Sequence, residues 1–178
     1  MDIQKPFKIN IDPWNIWCIP DGRVDLDQRL LFNRDHRKLR DELSCLNQDV
    51  IDSFLVPTYV NTYLIENGKE AYLVDGGYGK LREDKAGYSI FNLKSIGIEP
   101  GDISSVLLTH MHMDHVAGLL SDEGKKVFPK ASLFVSSLET AFWTDETNKS
   151  LVHEYLHGCF SFSHKLLSAY EYNLFSSN

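Results

Sequence analysis

The sequence predicts an α/β fold, in which strands and helices alternate along the chain around one sheet. Two stretches rich in β-branched and aromatic residues, 54–65 and 70–74, flank Asn67-Gly68, a dipeptide typical of β-hairpins. Apolar residues at helical spacing follow over 89–96, and a further strand begins at Ile103. Because a helix separates these strands, the order favours an α/β (α+β) arrangement over an all-β one.

Residues 1–53 are predicted to form an N-terminal hairpin and a helix. Residues 7–11 alternate apolar and polar side chains, and residues 15–19 form a second short apolar stretch. Pro20-Asp21-Gly22 is typical of a turn. The leucine spacing over 33–46 predicts a short amphipathic helix.

The rest of the chain is predicted to form a core, residues 54–135, and a helical cap region, residues 136–178. The core ends in a strand over 131–135. Ser136-Ser137-Leu138-Glu139 then fits a capping box that starts a helix. Residues 149–172 place apolar side chains on one broad face, which predicts a single long helix.

The composition limits the classes of partner. The chain has 178 residues, enough for one domain, and a formal net charge of −7, which disfavours binding to nucleic acid. No apolar run is long enough for a membrane span, so no membrane partner is expected. The three cysteines are far apart in sequence and odd in number, which favours reduced thiols over disulfides. The first residues lack the pattern of a secretory signal. A cytoplasmic location is expected, with a secreted or periplasmic one left open.

Four ligand-type side chains follow one apolar run. The strand pattern of residues 106–108 leads to His110, His112, Asp114 and His115. In an extended backbone alternate side chains share a side, so His110 and His112 can bind one metal ion. The adjacent Asp114 and His115 diverge enough to address a second ion.

These residues carry a family resemblance. The run His110-Met111-His112-Met113-Asp114-His115 resembles the HxHxDH motif of the metallo-β-lactamase superfamily. Residues 60–65 and 73–77 resemble that family's first hairpin and acidic motif. This likeness implies that Asp75 orients the metal site by contacting its ligands, without binding the metal itself. Gly76 stands where the family usually has threonine. The resemblance implies an αββα sandwich, of which this chain covers the first half to two-thirds only.

A narrower likeness concerns residues 128–146. This segment resembles hydrolases of the N-acyl homoserine lactonase and methyl parathion hydrolase group. In that group a Phe-Trp pair lies beside the substrate pocket, which implies substrate binding by Phe142 and Trp143. Ordinary packing of both side chains in the core is the alternative.

The resemblance also implies an activity. Family members hydrolyse small-molecule substrates with two metal ions, usually zinc, although manganese or iron also suits these ligands. Asp114 would bind the second ion and handle the proton passed to the leaving group, and an ester or lactone is the expected substrate. The family's third histidine, bridging aspartate and final histidine have no match before Asn178. The site would then be completed by a second copy in a homodimer, by a complementing chain, or by His153, His157 or His164 as substitute ligands; otherwise the chain is a non-catalytic remnant.

One further motif indicates a different activity. His153-Glu154-Tyr155-Leu156-His157 has the form HExxH, which on a helix can hold zinc in a protease. A protease also needs a third ligand, and His164 does not have the spacing of the extended motif. The HExxH protease is therefore the less favoured alternative.

Overall fold

The computed structural model describes residues 4–27, 55–82 and 85–176, and their strands form one seven-stranded sheet. The strands lie side by side in chain order: β1 Phe7–Ile11, β2 Trp14–Asp27, β3 Leu55–Glu66, β4 Ala71–Val74, β5 Ser105–Leu107, β6 Ser132–Ser136 and β7 Tyr172–Phe175. The helices are α1 Ser89–Ser95, α2 Met113–Val116, α3 Ser137–Thr144 and α4 His157–Ala169. Residue contacts divide the chain into a larger unit, 1–22 and 60–178, and a smaller one, 23–59.

The sheet is mixed, which confirms the α/β prediction. β1 pairs with β2, and β3 with β4, in antiparallel fashion. From β4 to β7 each strand runs parallel to its neighbour. Parallel strands place their carboxyl ends at one edge of the sheet, so the residues that follow β4, β5 and β6 lie close together there.

The hairpin predicted at Asn67-Gly68 is confirmed. β3 ends at Glu66 and β4 begins at Ala71. The Asn67 side-chain oxygen accepts hydrogen bonds from the backbone N–H groups of Lys69 and Glu70, at 3.0 and 2.9 Å. Gly68 has φ +80°, a conformation that glycine adopts without a steric penalty.

The turn predicted at Pro20-Asp21-Gly22 is wrong. The first hairpin turns at Asp12-Pro13, and β2 continues through residues 20–22 without a break. The Asp21 carboxylate is buried and accepts hydrogen bonds from distant backbone groups, which keeps this segment in the strand. The helix predicted over 33–46 lies outside the described residues.

The single helix predicted over 149–172 is also wrong. Residues Glu146–Leu151 and Glu154–Leu156 form short 3-10 helices, and the backbone of Val152 between them is extended. Only α4 is a regular helix, and the chain then forms β7, which pairs with β6. Nowhere in the described ranges is a helix both long and apolar enough to cross a bilayer.

The core lies on one face of the sheet, between the strands and the helices. Side chains from four adjacent strands join those of α1 and α4 in a continuous cluster of fully buried residues: Leu64, Leu73, Val106, Leu133, Leu93, Phe160 and Leu166. Fully burying a side chain of this size stabilises the fold by about 1.5–3 kcal/mol. This cluster fixes the strands whose ends carry the site.

The opposite face of the sheet is less covered. Tyr63, Val74, Leu107 and Phe134 are register partners across four strands, so their side chains share this face. Tyr63 is 42% exposed, and the other three are half-buried. The family resemblance implies that the missing part of the αββα sandwich would cover this face. That a second copy or a complementing chain covers it stays a prediction.

Gly118 lies where two backbone segments meet, and we expect alanine there to destabilise the fold. A Cβ at Gly118 would lie 2.0 Å from the Gly76 oxygen, whereas a Cβ at Gly158 in α4 meets nothing within 4 Å. Gly118→Ala should lower the free energy of unfolding by about 1–3 kcal/mol through overpacking. Gly158→Ala should raise it by about 0.5–1 kcal/mol through helix propensity. Urea denaturation measures both, and equal effects would contradict the close approach.

Candidate metal centre

The candidate centre begins where β4 and β5 end. Val74 and Leu107 are register partners in these parallel strands. The Asp75 N–H donates to the Leu107 oxygen at 3.0 Å, so the ladder continues one residue beyond β4. Asp75 has φ +60°, a left-handed conformation that is uncommon for residues other than glycine and costs about 1–3 kcal/mol. The fold keeps this strained residue at the edge of the sheet that carries the histidine motif.

Asp75 connects the two strand ends through its carboxylate. Its Oδ1 accepts a hydrogen bond from the Thr109 N–H at 2.9 Å, and its Oδ2 accepts one from the Thr109 hydroxyl at 2.8 Å. Oδ2 also lies 2.8 Å from Nδ1 of His115. Because Asp75 occupies Nδ1, Nε2 is the His115 nitrogen left for a metal ion. This contact is the one that a carboxylate orienting a metal-binding histidine makes.

The four predicted ligands lie against one another. His115 Nε2 is 3.3 Å from Asp114 Oδ2, and two atoms bound to one tetrahedral zinc ion are about 3.4 Å apart. The His110 ring centroid is 3.9 Å from that of His115 and 4.5 Å from that of His112. Met111, between the two histidines, is fully buried, so the rings share the opposite side of the chain. The structure thus places His110, His112, Asp114 and His115 side by side, each in contact with at least one of the others.

These four side chains are of the types that bind divalent metals, but their positions do not converge on a single ion. Imidazole nitrogens and a carboxylate are the ligands that zinc takes in catalytic sites. Within the described residues, no three histidine, cysteine, aspartate or glutamate side chains converge on one point. The His110 and His115 rings are packed together, so they would have to rotate to bind an ion.

The charges within the cluster favour two neutral histidines. Burial lowers the pKa of His110 and of His112, and a neighbouring imidazole lowers each further. Burial would also lower the pKa of His115, but its hydrogen bonds with Asp114 and Asp75 outweigh it and raise that pKa to about 9. Burial raises the pKa of Asp114, but the bond with His115 outweighs it, so the net shift is downward. The neutral imidazoles have the lone pairs that metal binding requires.

The predicted substrate residues Phe142 and Trp143 lie on α3. Trp143 is only 4% exposed; its ring centroid lies 5.2 Å from that of His112 in an edge-on contact and 4.9 Å from that of Phe160 in a tilted one. It therefore offers little surface to a substrate, and the core-packing alternative fits it better. Phe142 is half-buried, with its ring centroid 5.0 Å from that of Trp143. Substrate binding by Phe142 stays a prediction.

Sequence reasoning missed the role of Glu139, which it assigned to a capping box. Ser136 does cap α3, by accepting a hydrogen bond from the Leu138 N–H. The Glu139 carboxylate accepts instead from the Met111 N–H at 2.9 Å and from the Trp143 indole N–H at 3.0 Å. A local pattern could not find the contact with Met111, which lies 28 residues away. The pair Glu139 and Trp143, four apart on one helix, was the available signal.

The HExxH motif does not form a metal-binding helix face. His153 precedes a 3-10 helix and accepts a hydrogen bond from the Tyr155 N–H at 3.2 Å. His157 begins α4, and its Nε2 is 3.1 Å from the Lys149 oxygen. The two imidazoles thus do not lie one turn apart on a helix, which the protease mechanism requires.

Comparison with known families agrees with the geometry around His110–His115. Residues 55–160, more than half of the chain, match the family model described as Metallo-beta-lactamase superfamily. The chain belongs to this superfamily. The match covers the hairpin of β3 and β4, the predicted ligands and α3, so the metallo-β-lactamase resemblance inferred from the motif is confirmed.

Solved structures share the metallo-β-lactamase fold with this chain. The hydrolase AbOPH of the beta lactamase superfamily superposes with a TM-score of 0.84 at 23% identity, over 99% of this chain and 62% of that one. AidC, a dizinc quorum-quenching lactonase, superposes with a TM-score of 0.77 at 22% identity, over 95% and 61%. At such identities the likeness concerns the fold alone. The chain spans about 60% of these structures' length, in line with the predicted partial coverage.

Curated relatives match over shorter segments. The atrochrysone carboxyl ACP thioesterase of Aspergillus fumigatus is 38% identical over 60 residues, which are 33% of this chain and 17% of that protein. Ribonuclease Z of Mycobacterium bovis is 39% identical over 56 residues, 32% of this chain and 17% of that protein. The chain therefore matches less than a fifth of the length of either relative.

Proposed function

We propose that this chain is the metal-binding part of a metal-dependent hydrolase that acts on an ester, a lactone or a related small molecule. One observation carries the proposal: in a chain of this superfamily, three histidines and an aspartate gather where β5 ends, against a strained carboxylate at the end of β4. The rings of the three histidines crowd together, with the His110 centroid 4.5 Å from that of His112 and 3.9 Å from that of His115, an arrangement that metal binding explains better than packing does.

The proposed ligands divide into two pairs. His110 and His112 would bind one ion, and Asp114 and His115 a second, with zinc the first candidate and manganese or iron acceptable to the same donors. The short distance between His115 Nε2 and Asp114 Oδ2 supports the second pair. Asp75 would hold the His115 ring and direct its Nε2 toward the ion.

The proposed chemistry is hydrolysis at a carbonyl carbon. Two bound divalent ions supply a water that loses its proton near neutral pH and a positive charge beside the carbonyl oxygen. Attack by the water oxygen breaks the bond from the carbonyl carbon to the leaving oxygen, which then needs a proton. We assign this transfer to Asp114: its carboxylate, whose pKa is lowered by the bond with His115, would take a proton from the attacking water and pass it to the leaving oxygen.

Relatives and charge narrow the substrate class. AidC is described as a lactonase and the Aspergillus fumigatus relative as a thioesterase, and both reactions break an acyl bond. The short match with ribonuclease Z favours a different substrate, RNA. A formal net charge of −7 disfavours an RNA backbone, so a small acyl substrate is the better candidate.

A second candidate is a half-site that needs a partner. No three donors converge within the described part of the chain, which favours weak metal binding by one copy alone. A second copy or a complementing chain would then supply further ligands. This candidate predicts that metal is retained only by an oligomer or a complex.

Metal removal tests the proposal. The protein, purified without a histidine tag, should hold at least one equivalent of divalent metal per chain by elemental analysis. A panel of lactones, aryl esters and acyl thioesters should be hydrolysed, and chelation should lower the rate by more than about 100-fold, because water alone is a poor nucleophile near neutral pH. Added zinc should restore the rate.

Gel filtration of the same sample separates the two candidates. Metal in the monomer fraction supports the first, and metal confined to an oligomer supports the second. Protein that retains no metal in any fraction, even with zinc added in excess, would overturn the first candidate and would exclude a second copy of this chain as the partner in the second.

A further inference from the structure

Glu139 reaches from α3 to the backbone between two predicted ligands. Its Oε2 accepts a hydrogen bond from the Met111 N–H at 2.9 Å. Met111 separates His110 from His112 and is fully buried. The Glu139 side chain is half-buried, so this charge-assisted bond lies partly shielded from water.

The Met111 N–H depends on this acceptor. The last ladder bond beyond β5 is donated by the Leu108 N–H to the Phe134 oxygen at 2.9 Å, so the sheet supplies no acceptor to residue 111. A buried N–H without an acceptor costs about 1–3 kcal/mol. Glu139 therefore fixes, through its side chain, the backbone between His110 and His112.

Trp143, on the same helix, contacts the same segment through its ring. It lies one helical turn after Glu139, and its indole N–H donates to the same oxygen at 3.0 Å. Its ring contacts the His112 ring at 5.2 Å with an interplanar angle of 78°, and is 4% exposed. One carboxylate oxygen thus joins the Met111 backbone to the ring that supports His112.

We propose that Glu139 is a positioning residue for the metal centre: it sets the direction of the His110 and His112 side chains through the Met111 N–H and through Trp143. The inference rests on the proposed function, since it assumes that these histidines bind metal. Glu139 itself is not a ligand in this proposal. Its acceptor oxygen is the essential feature, and its charge is secondary.

Four variants test the inference. Glu139→Ala removes the acceptor, Glu139→Gln keeps an oxygen that can accept both N–H groups, and Trp143→Phe removes one donor while keeping a ring against His112. Glu123→Ala is the matched control, because Glu123 is an exposed carboxylate that accepts a local hydrogen bond from the Ser121 hydroxyl at 2.8 Å. The readouts are metal affinity, by chelator competition, and the visible spectrum of the cobalt-substituted protein.

Glu139→Ala should weaken metal binding by about 10–100-fold, the usual effect of removing a group that orients a ligand. Its cobalt spectrum should change, because the imidazoles would take new directions. Glu139→Gln should stay within a few-fold of wild type, Trp143→Phe should weaken binding several-fold, and Glu123→Ala should have no effect. Rescue by glutamine separates positioning from a role as a charged ligand.

Several results would overturn the inference. Wild-type affinity and spectrum in Glu139→Ala would do so, as would a Glu139→Gln variant as weak as Glu139→Ala, since charge would then matter more than the acceptor. If Glu139→Ala does not fold, unchanged binding and spectrum in Trp143→Phe would count against it equally. Wild-type protein that binds no metal would instead overturn the proposed function, and the inference with it.

Discussion

Alanine at His110 or His112 should remove the bound metal, whereas alanine at His153 or His157 should leave it in place. Both pairs have spacings that can bind zinc; in the first pair the two ring centroids lie 4.5 Å apart, and the His110 ring centroid is 3.9 Å from that of His115. Removing a direct ligand should weaken binding by more than about 100-fold, beyond the effect of removing a group behind a ligand. Elemental analysis of tag-free protein after dialysis measures the metal retained.

The two pairs serve as controls for one another. His153 and His157 make hydrogen bonds within their own segment, with the Tyr155 N–H and near the Lys149 oxygen. Replacing either one tests whether the loss of a histidine outside the His110–His115 cluster lowers the metal content. Metal loss in His153→Ala and His157→Ala, with retention in His110→Ala and His112→Ala, would support the protease alternative. Retention in all four variants would leave neither motif as the metal site.

The ligand cluster could be predicted from the sequence because its members are local. His110, His112, Asp114 and His115 lie within six consecutive residues, the first two just before α2 and the last two on it, so their closeness along the chain keeps them together. Asp75 came from the family resemblance, and the parallel pairing of β4 with β5 explains its place. How the rings pack depends on neighbours far along the chain, which no local pattern contains.

The two polar residues that the sequence misassigned share one cause. Asp21 precedes a glycine, which is typical of a turn, and Glu139 follows a serine by three residues, which is typical of a capping box. In both cases the carboxylate serves a distant backbone N–H instead, 28 to 68 residues away. Local statistics describe the acceptor, but only the tertiary fold specifies its donor.

The C-terminal error has a related origin. Residues 149–172 have the apolar spacing of a helix, but Val152 and Tyr170 adopt extended conformations that limit the helix to α4. The Tyr170 hydroxyl donates to the Leu119 oxygen at 2.8 Å and accepts from the Phe128 N–H at 3.2 Å. This buried tyrosine fixes the end of the helix, and the chain beyond it can pair with β6. A periodicity cannot reveal such a partner.

Asp21→Ala should be the most destabilising of the substitutions considered for the fold. The carboxylate is fully buried, and its two oxygens accept from the N–H groups of Tyr78, Gly87 and Ser89 and from the Ser89 hydroxyl. Each buried N–H that loses its acceptor costs about 1–3 kcal/mol, so the free energy of unfolding should fall by about 3–5 kcal/mol. Urea denaturation in the presence of a chelator measures this without a contribution from metal.

Two further variants show whether this loss comes from buried hydrogen bonds. Asp122→Ala removes an exposed carboxylate paired with Lys80 at 3.0 Å, and should cost less than about 1 kcal/mol. Asp21→Asn keeps one oxygen but turns an NH₂ group toward backbone donors, so its loss should be intermediate. Asp21 contacts none of the proposed ligands, so folded Asp21→Asn should bind metal almost as wild type does, unlike Glu139→Ala. A stable Asp21→Ala protein with weak metal binding would contradict this division of roles, and would place Asp21 among the residues that orient the site.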